Sequence, residues 1–372
     1  MSTFEELAKD GISELATYEP GRPIEEVARE LGFNDISEIT KLASNENPLG
    51  PSPLALEAMA ECVTKMHLYP DGGAFYLKEA LVAKLGVDQD QLLIGNGSNE
   101  LLEFIGHAFL DENAGIVMAD LAFVVYKLVA AMFGAPLVVV PMQNLTHDLD
   151  AMLAAITDKT RVVFVANPNN PTGTIVTQEA LDAFMDKVPE NVIVCFDEAY
   201  VELLPEAQQP TTLDYVRQGR NVIILRTFSK TYGLAGLRVG YAVAPADCIR
   251  LLNKVRQPFN VNAMALVAAQ AALGDDAHVE RTRKLVVDGL QQYYTEFDAM
   301  GLEYVPSLVN FVLVKVGRGR DCFEALKKLG VIVRPMDGYG LPDYIRITIG
   351  TMEENEKCID ALGKTIDARI DM

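Results

Sequence analysis

One lysine stands among hydroxyls and arginines in the stretch Arg226-Thr227-Phe228-Ser229-Lys230-Thr231-Tyr232-Gly233, which continues as Leu234-Ala235-Gly236-Leu237-Arg238-Val239-Gly240. The apolar run Asn221 to Leu225 ahead of it reads as a buried strand, so Lys230 falls in the loop beyond a strand end. A lysine in a partly desolvated pocket, beside a cation such as Arg238, loses part of its preference for the charged form. Its neutral amine can then attack a carbonyl to make a Schiff base. The hydroxyls of Thr227 and Ser229, with Arg238, are suited to holding a phosphate. Schiff-base chemistry beside a phosphate cup points to pyridoxal phosphate; a loop lysine that merely faces water is the plainer alternative.

Other strand ends carry polar clusters of their own. Gln91-Leu92-Leu93-Ile94 runs into Gly95-Asn96-Gly97-Ser98-Asn99-Glu100, after which Leu101, Leu102, Ile105 and Phe109 recur at helical spacing. A glycine-rich turn entering a helix presents free backbone N–H groups to an anion. An ordinary turn with Ser98 as N-cap is the local alternative. Arg161 to Ala166 is almost continuously apolar, as expected of a strand covered on both faces, and ends in Asn167-Pro168-Asn169-Asn170-Pro171-Thr172-Gly173. Open α/β sheets place ligands at such carboxyl ends. Asn191 to Phe196 delivers Asp197-Glu198-Ala199-Tyr200 to the same edge. A carboxylate at the end of a buried strand is costly without a partner, and a protonated pyridine nitrogen would be one. Capping of a helix that starts at Ala199 is the local reading of Asp197. The similar, helix-patterned lengths between Asn167, Asp197 and Lys230 indicate βαβ units and a parallel sheet. No G-x-G-x-x-G follows an early strand, which disfavours a dinucleotide-binding fold.

The wording S-K-T-Y-G-L-A-G-L-R-V-G at the lysine resembles the fold-type I pyridoxal-phosphate-dependent aminotransferases, and within them the histidinol-phosphate aminotransferase branch. The likeness extends over nearly the whole chain, through L-A-S-N-E-N-P before Leu49, Y-P-D at Tyr69, N-P-N-N-P-T-G at Asn167 and R-I-T-I-G at Arg346. It implies an α/β fold with a mostly parallel central sheet in a large domain and a smaller α+β domain. The implied division is an N-terminal arm and part of the small domain over residues 1–45, a large cofactor domain over 46–270 and a small domain over 271–372. By the same resemblance, Lys230 carries pyridoxal 5'-phosphate, Asp197 anchors the ring nitrogen, and Asn167 and Tyr200 hold the phenolic oxygen. Phe123 takes the place of the aromatic ring that stacks on the pyridine, although the proline and threonine usual before it are here Leu121 and Ala122. Gly97, Ser98, Asn99, Thr227, Ser229 and Arg238 would surround the phosphate, joined by Tyr69 from the neighbouring subunit of an obligatory homodimer. Tyr18 and Asn47 would lie near the substrate. Arg346 would bind the carboxylate of glutamate or the phosphate of histidinol phosphate, and Arg334 would contact the substrate phosphate. The implied substrates are histidinol phosphate with glutamate and 2-oxoglutarate. An aromatic amino acid aminotransferase is the alternative within the branch, a decarboxylase using the same cofactor is another, and a non-catalytic regulator would need an attached DNA-binding module.

Bulk composition sets outer limits. With 372 residues the chain can bury a sizeable core and divide into two domains. A formal net charge of -20 argues against nucleic acid and anionic membrane as partners, so an anionic substrate would need a local basic pocket, for which Arg238, Arg334 and Arg346 are available. Cys62, Cys195, Cys248, Cys322 and Cys358 are scattered and odd in number, which fits a reducing compartment. His67, His107, His147 and His278 are scattered as well, and no metal site is expected. The acidic opening residues do not read as a signal peptide, and no apolar run is long enough to span a bilayer, so a cytoplasmic protein is expected.

Overall fold

Short apolar strands alternate with helices from Leu92 to Val243, and burial of both strand faces requires the helices to cover the sheet on each side. The computed structural model describes residues 3–8, 12, 24–33 and 35–370. A two-residue strand β1 (Thr40–Lys41) precedes the main sheet, whose strands are β2 (Leu92–Gly95), β3 (Gly115–Ala119), β4 (Leu137–Val140), β5 (Thr160–Ala166), β6 (Ile193–Asp197), β7 (Val222–Thr227) and β8 (Gly240–Val243). Their spatial order is β2-β8-β7-β6-β5-β3-β4. Pairings from β7 through β4 are parallel, while β8 runs antiparallel to both β2 and β7. The expected mostly parallel sheet is present, with β8 reversed because the loop after β7 turns straight back into it.

The remaining strands are β9 (Tyr304–Val305), β10 (Phe311–Lys315), β11 (Val331–Ile332), β12 (Arg334–Pro335) and β13 (Tyr344–Thr348). They form an antiparallel sheet ordered β12-β13-β10-β9, while β11 pairs in parallel with β1. The single strand that the sequence suggests from Val331 to Arg334 is therefore split between two sheets. Val333 at the break is buried, so both halves stay anchored.

Two main apolar cores follow from this layout. The larger packs around β2 to β8 and extends to Val279, and the smaller contains Val286, Leu290, Phe297, Phe311, Val314, Ile345 and Leu362. Helix Asp276–Met300 carries residues of both and acts as the beam between them, capped by the Asp275 carboxylate, which accepts from the His278 N–H. Leu42, Tyr200 and Leu203 also belong to the smaller core, so the segments around Ala43 and Tyr200 are held at the seam between the two. No helix among the described residues is long and apolar enough to cross a membrane.

Candidate active site

Because β2, β3, β5, β6 and β7 point the same way, the loops after them meet at one edge of the sheet. A cavity of about 420 Å³ opens there, bounded by those loops, by the segment Ala43–Glu46 and by the arginines of the small sheet. Ser98, Asn99, Phe123, Asp197, Tyr200, Thr227, Ser229, Lys230, Arg238, Arg334 and Arg346 all line it.

Lys230 follows β7 by three residues, and buried Phe228 fixes the loop by bonding backbone to backbone with Val239 and Leu234. The Lys230 Nζ donates to the Ser44 carbonyl at 3.3 Å and lies 5.6 Å from the centre of the Tyr200 ring. Burial lowers its pKa to about 8, with help from the positive charges of Arg346 and Arg238 and against the pull of Glu46 and Asp197. The amine is therefore partly neutral near physiological pH, as a carbonyl-attacking or proton-abstracting base must be.

Asp197 is the last residue of β6 and is only 6% exposed. One carboxylate oxygen accepts the Tyr126 hydroxyl at 2.6 Å, and the other accepts the Ala199 N–H at 3.2 Å; no helix starts at Ala199 for Asp197 to cap, since the next helical turn is Val201–Leu203 with Tyr200 at its cap. Burial pushes its carboxyl up, the two hydrogen bonds pull it down, and the Glu198 charge adds to burial. Glu198 is held by Arg226 of the neighbouring strand at 2.8 Å, a buried ion pair that opposes that charge. Tyr200 is buried, its hydroxyl accepts from the Asn45 side-chain amide at 3.0 Å, and burial raises its pKa to about 12, which keeps the phenol protonated.

An anion cup sits on another wall. The Thr227 hydroxyl donates to Ser229 Oγ at 3.0 Å, and an Arg238 guanidinium nitrogen donates to the same oxygen at 3.4 Å. Ser98 is the first residue of helix Ser98–Phe109 and not its cap; Gly97 caps it, and no side chain does, so N–H groups remain at the cavity. Gly97 does not line the cavity itself. A Cβ there would lie 2.6 Å from an Arg238 guanidinium nitrogen, so its missing side chain is what admits the arginine.

The small sheet supplies the positive side. Arg334 of β12 and Arg346 of β13 are direct cross-strand partners, which puts both side chains on one face. Like charges so placed repel, and a bound anion between them removes the penalty. Arg346 donates to the Ala43 carbonyl at 2.9 Å and to the Asn170 side chain, and its guanidinium lies 5.2 Å from the Phe311 ring centre. Asn45, in the left-handed region with φ 54, bonds through its N–H and side-chain carbonyl to the Thr348 hydroxyl, tying the Ala43–Glu46 segment to β13.

Besides Gly97, three expected residues are not brought to the cavity. Asn167 is buried with its amide engaged on both sides by the Val176 backbone, donating at 3.2 Å and accepting at 3.0 Å, so it braces the turn after β5. The Asn47 amide donates to the Thr231 carbonyl and the Thr282 hydroxyl, clamping the loop behind Lys230 to helix Asp276–Met300. Tyr69 is 84% exposed and stacks on Phe259 with ring centres 4.9 Å apart. Tyr18 lies outside the described residues. Conversely, Ser44, Asn45, Tyr126 and Asn170 do line the cavity without having been singled out. The asparagine pair around Glu46 was a usable signal, although it is the first of the two that faces the site; Tyr126 reads in sequence only as a core aromatic.

The family model for aminotransferase class I and II matches residues 37–362. A histidinol-phosphate aminotransferase of Akkermansia muciniphila is 52% identical over 365 residues, covering 98% of this chain and 100% of that protein. One of Moorella thermoacetica is 52% identical over 356 residues, covering 95% of this chain and 92% of that protein. Among solved structures, histidinol-phosphate aminotransferase from Sinorhizobium meliloti in complex with pyridoxal-5'-phosphate superposes with a TM-score of 0.87 at 29% identity, covering 97% of this chain and 98% of that one.

Proposed function

This chain belongs to the class I and II aminotransferases, and from that membership we propose that it moves the amino group of L-histidinol phosphate to 2-oxoglutarate, yielding imidazole acetol phosphate and L-glutamate, with pyridoxal 5'-phosphate bound at Lys230. The cavity fits that cofactor: one enclosure holds a lysine amine of lowered pKa, a buried and oriented carboxylate, and a hydroxyl–guanidinium cup at a helix start. When bound, the cofactor supplies an aldehyde for covalent attachment of amines and a conjugated ring that accepts electrons.

The protein's own groups do the rest. Lys230 Nζ takes up the proton released from the substrate α-carbon, a role that its pKa of about 8 suits. Asp197 binds the ring nitrogen, the Tyr200 hydroxyl serves the phenolic oxygen, and Phe123 packs against the ring. Ser98, Asn99, Thr227, Ser229 and Arg238 hold the phosphate, with Gly97 giving Arg238 its room. Arg346 takes the carboxylate of glutamate, and Arg334 with Arg346 takes the phosphate of the other substrate. Tyr69 serves the partner subunit of a homodimer. Exposed apolar side chains on its own stretch, including Leu54, Leu56, Val63, Met66, Leu68, Phe75 and Tyr76, support an interface there.

The paired guanidiniums of Arg334 and Arg346 carry the substrate assignment, because they answer a doubly charged phosphate better than an aromatic side chain. Steady-state rates with L-histidinol phosphate and L-phenylalanine as donors test it. Arg334→Ala is expected to lower kcat/KM for histidinol phosphate by about tenfold or more and to leave phenylalanine largely unaffected. Equal losses, or a wild-type preference for phenylalanine, would replace this substrate by an aromatic amino acid.

A further inference from the structure

Asp197 can accept a bond from a pyridinium only while it is a carboxylate, yet it sits where burial favours the neutral acid. If Asp197 held the proton, the ring nitrogen would receive a hydrogen bond and remain neutral, and the ring would be a weaker electron acceptor. Something in the protein must therefore keep the proton off Asp197. The groups that face it are few. Cys195 and Glu198 come from its own strand and its extension, Lys230 from the loop after β7, Tyr200 from the loop after β6, and Tyr126 from helix Val125–Met132. Glu198 is held by Arg226, Cys195 is kept a thiol by burial, and Lys230 favours the carboxylate through its charge alone, since its amine donates to the Ser44 carbonyl. Among the described side chains, Tyr126 is the one that hydrogen-bonds to the Asp197 carboxylate.

That bond is 2.6 Å long, within the range of about 2.5–2.7 Å for a hydroxyl donating to an ionised oxygen. Packing alone does not account for it. The Tyr126 ring is fully buried, stacked parallel on Phe164 with centres 4.5 Å apart and edge-on to Phe123 at 5.8 Å, contacts that a phenylalanine would make equally well. The hydroxyl adds nothing to those contacts and crosses 71 residues of sequence to reach one carboxylate oxygen. Burial and the Asp197 charge also raise the phenol's own pKa far above its usual value, so it remains a donor throughout the working pH range.

Building on the reading of this cavity as a pyridoxal-phosphate site, we propose that Tyr126 is a positioning residue for the reaction: its hydroxyl holds Asp197 as a carboxylate and so leaves the shared proton on the cofactor's ring nitrogen. The Ala199 N–H fixes the other oxygen, and the two bonds together hold the carboxylate in place on the cavity wall. The proton balance is simple: Tyr126 keeps its proton, Asp197 keeps none, and the nitrogen keeps one.

The test uses Tyr126→Phe in the full chain, which retains the ring and its stacking. NMR of the labelled Asp197 carboxyl carbon in the cofactor-free protein reads the carboxyl directly. Its titration midpoint is expected to rise by about one pH unit or more, a tenfold or larger gain in proton affinity. In the loaded protein, the resonance of isotope-labelled cofactor nitrogen should move from the pyridinium toward the neutral pyridine position. A folded Tyr126→Phe protein whose Asp197 midpoint is unchanged overturns the proposal. Should that variant not fold, ring-fluorinated tyrosine at position 126, a stronger donor of nearly the same shape, must lower the midpoint; no movement is again decisive against it. Failure to bind pyridoxal phosphate at all would remove the proposed function and leave the Asp197 titration standing as a separate result.

Discussion

Lys230 shows how one residue's surroundings set its chemistry. Its folded-state pKa of about 8 lies below the ordinary 10.5, so between those values the unfolded chain binds more protons than the folded one. Stability therefore rises with pH across that window, and the full cost of the buried ammonium is present below about pH 8. In the cofactor-free protein, Lys230→Met should raise the melting temperature more at about pH 7 than at about pH 10, while abolishing amino transfer. A stabilisation that does not shrink with rising pH would show that the buried charge is not its cause. The lysine itself was legible in sequence, since hydroxyls, glycines and an arginine around one lysine after an apolar run have few other uses. The atoms that tune it were not. Ser44, Arg346 and Glu46 come from segments far away in sequence, and only folding gathers them around the amine, where burial and Arg346 lower its pKa against the pull of Glu46.

At the scale of elements, the reversed strand β8 closes the wall of the cavity that carries Ser98 and Thr227. Its first residue, Gly240, pairs with Thr227 on one side and with Gly95 on the other. A Cβ there would stand 2.8 Å from the Arg226 carbonyl oxygen and 2.8 Å from the Ser98 nitrogen, both backbone atoms that cannot swing away. Gly240→Ala is expected to lower stability by about 1–3 kcal/mol and to weaken pyridoxal-phosphate affinity, because Ser98 and Thr227 would be pushed apart. Melting temperature and a cofactor titration check both effects; an alanine variant equal to wild type in each would contradict this account of the close approach. Strand positions in the large sheet were readable from apolar runs ended by polar clusters, with most boundaries shifted by a residue or two, while the apolar run from Ser307 to Val314 becomes a strand only from Phe311. The split between β11 and β12 was not readable, because Val331 to Arg334 is uniformly strand-like and only the available partners divide it.

For the whole molecule, the decisive feature is that the cavity draws on two sheets and the seam between them. Through the Ala43–Glu46 segment, hydrogen bonds of Asn45, Tyr200 and Arg346 tie the small sheet to the loop after β6, so Arg346 holds a fixed place relative to Lys230. Tyr69 is the exception, standing exposed and away from its own chain's cavity. In a homodimer, mixing a Lys230→Ala chain with a Tyr69→Ala chain should restore part of the amino transfer that each lacks alone, since a hybrid contains one site with both residues intact. No recovery in a mixture shown to exchange subunits would place Tyr69 outside the partner's site.

The order of residues by itself determined the alternation of strands and helices, the polar strand ends and the place of Lys230 in the loop after β7, because each rests on local spacing and side-chain chemistry. Tertiary structure alone decided which polar groups reach the cavity and which are consumed in holding its walls. Asn167 and Asn47 became braces, whereas Asn45 and Tyr126 came to face the chemistry. An amide or a phenol binds whatever partner folding places within about 3 Å, and that partner is set by strand order, cross-strand register and the packing of one core against another.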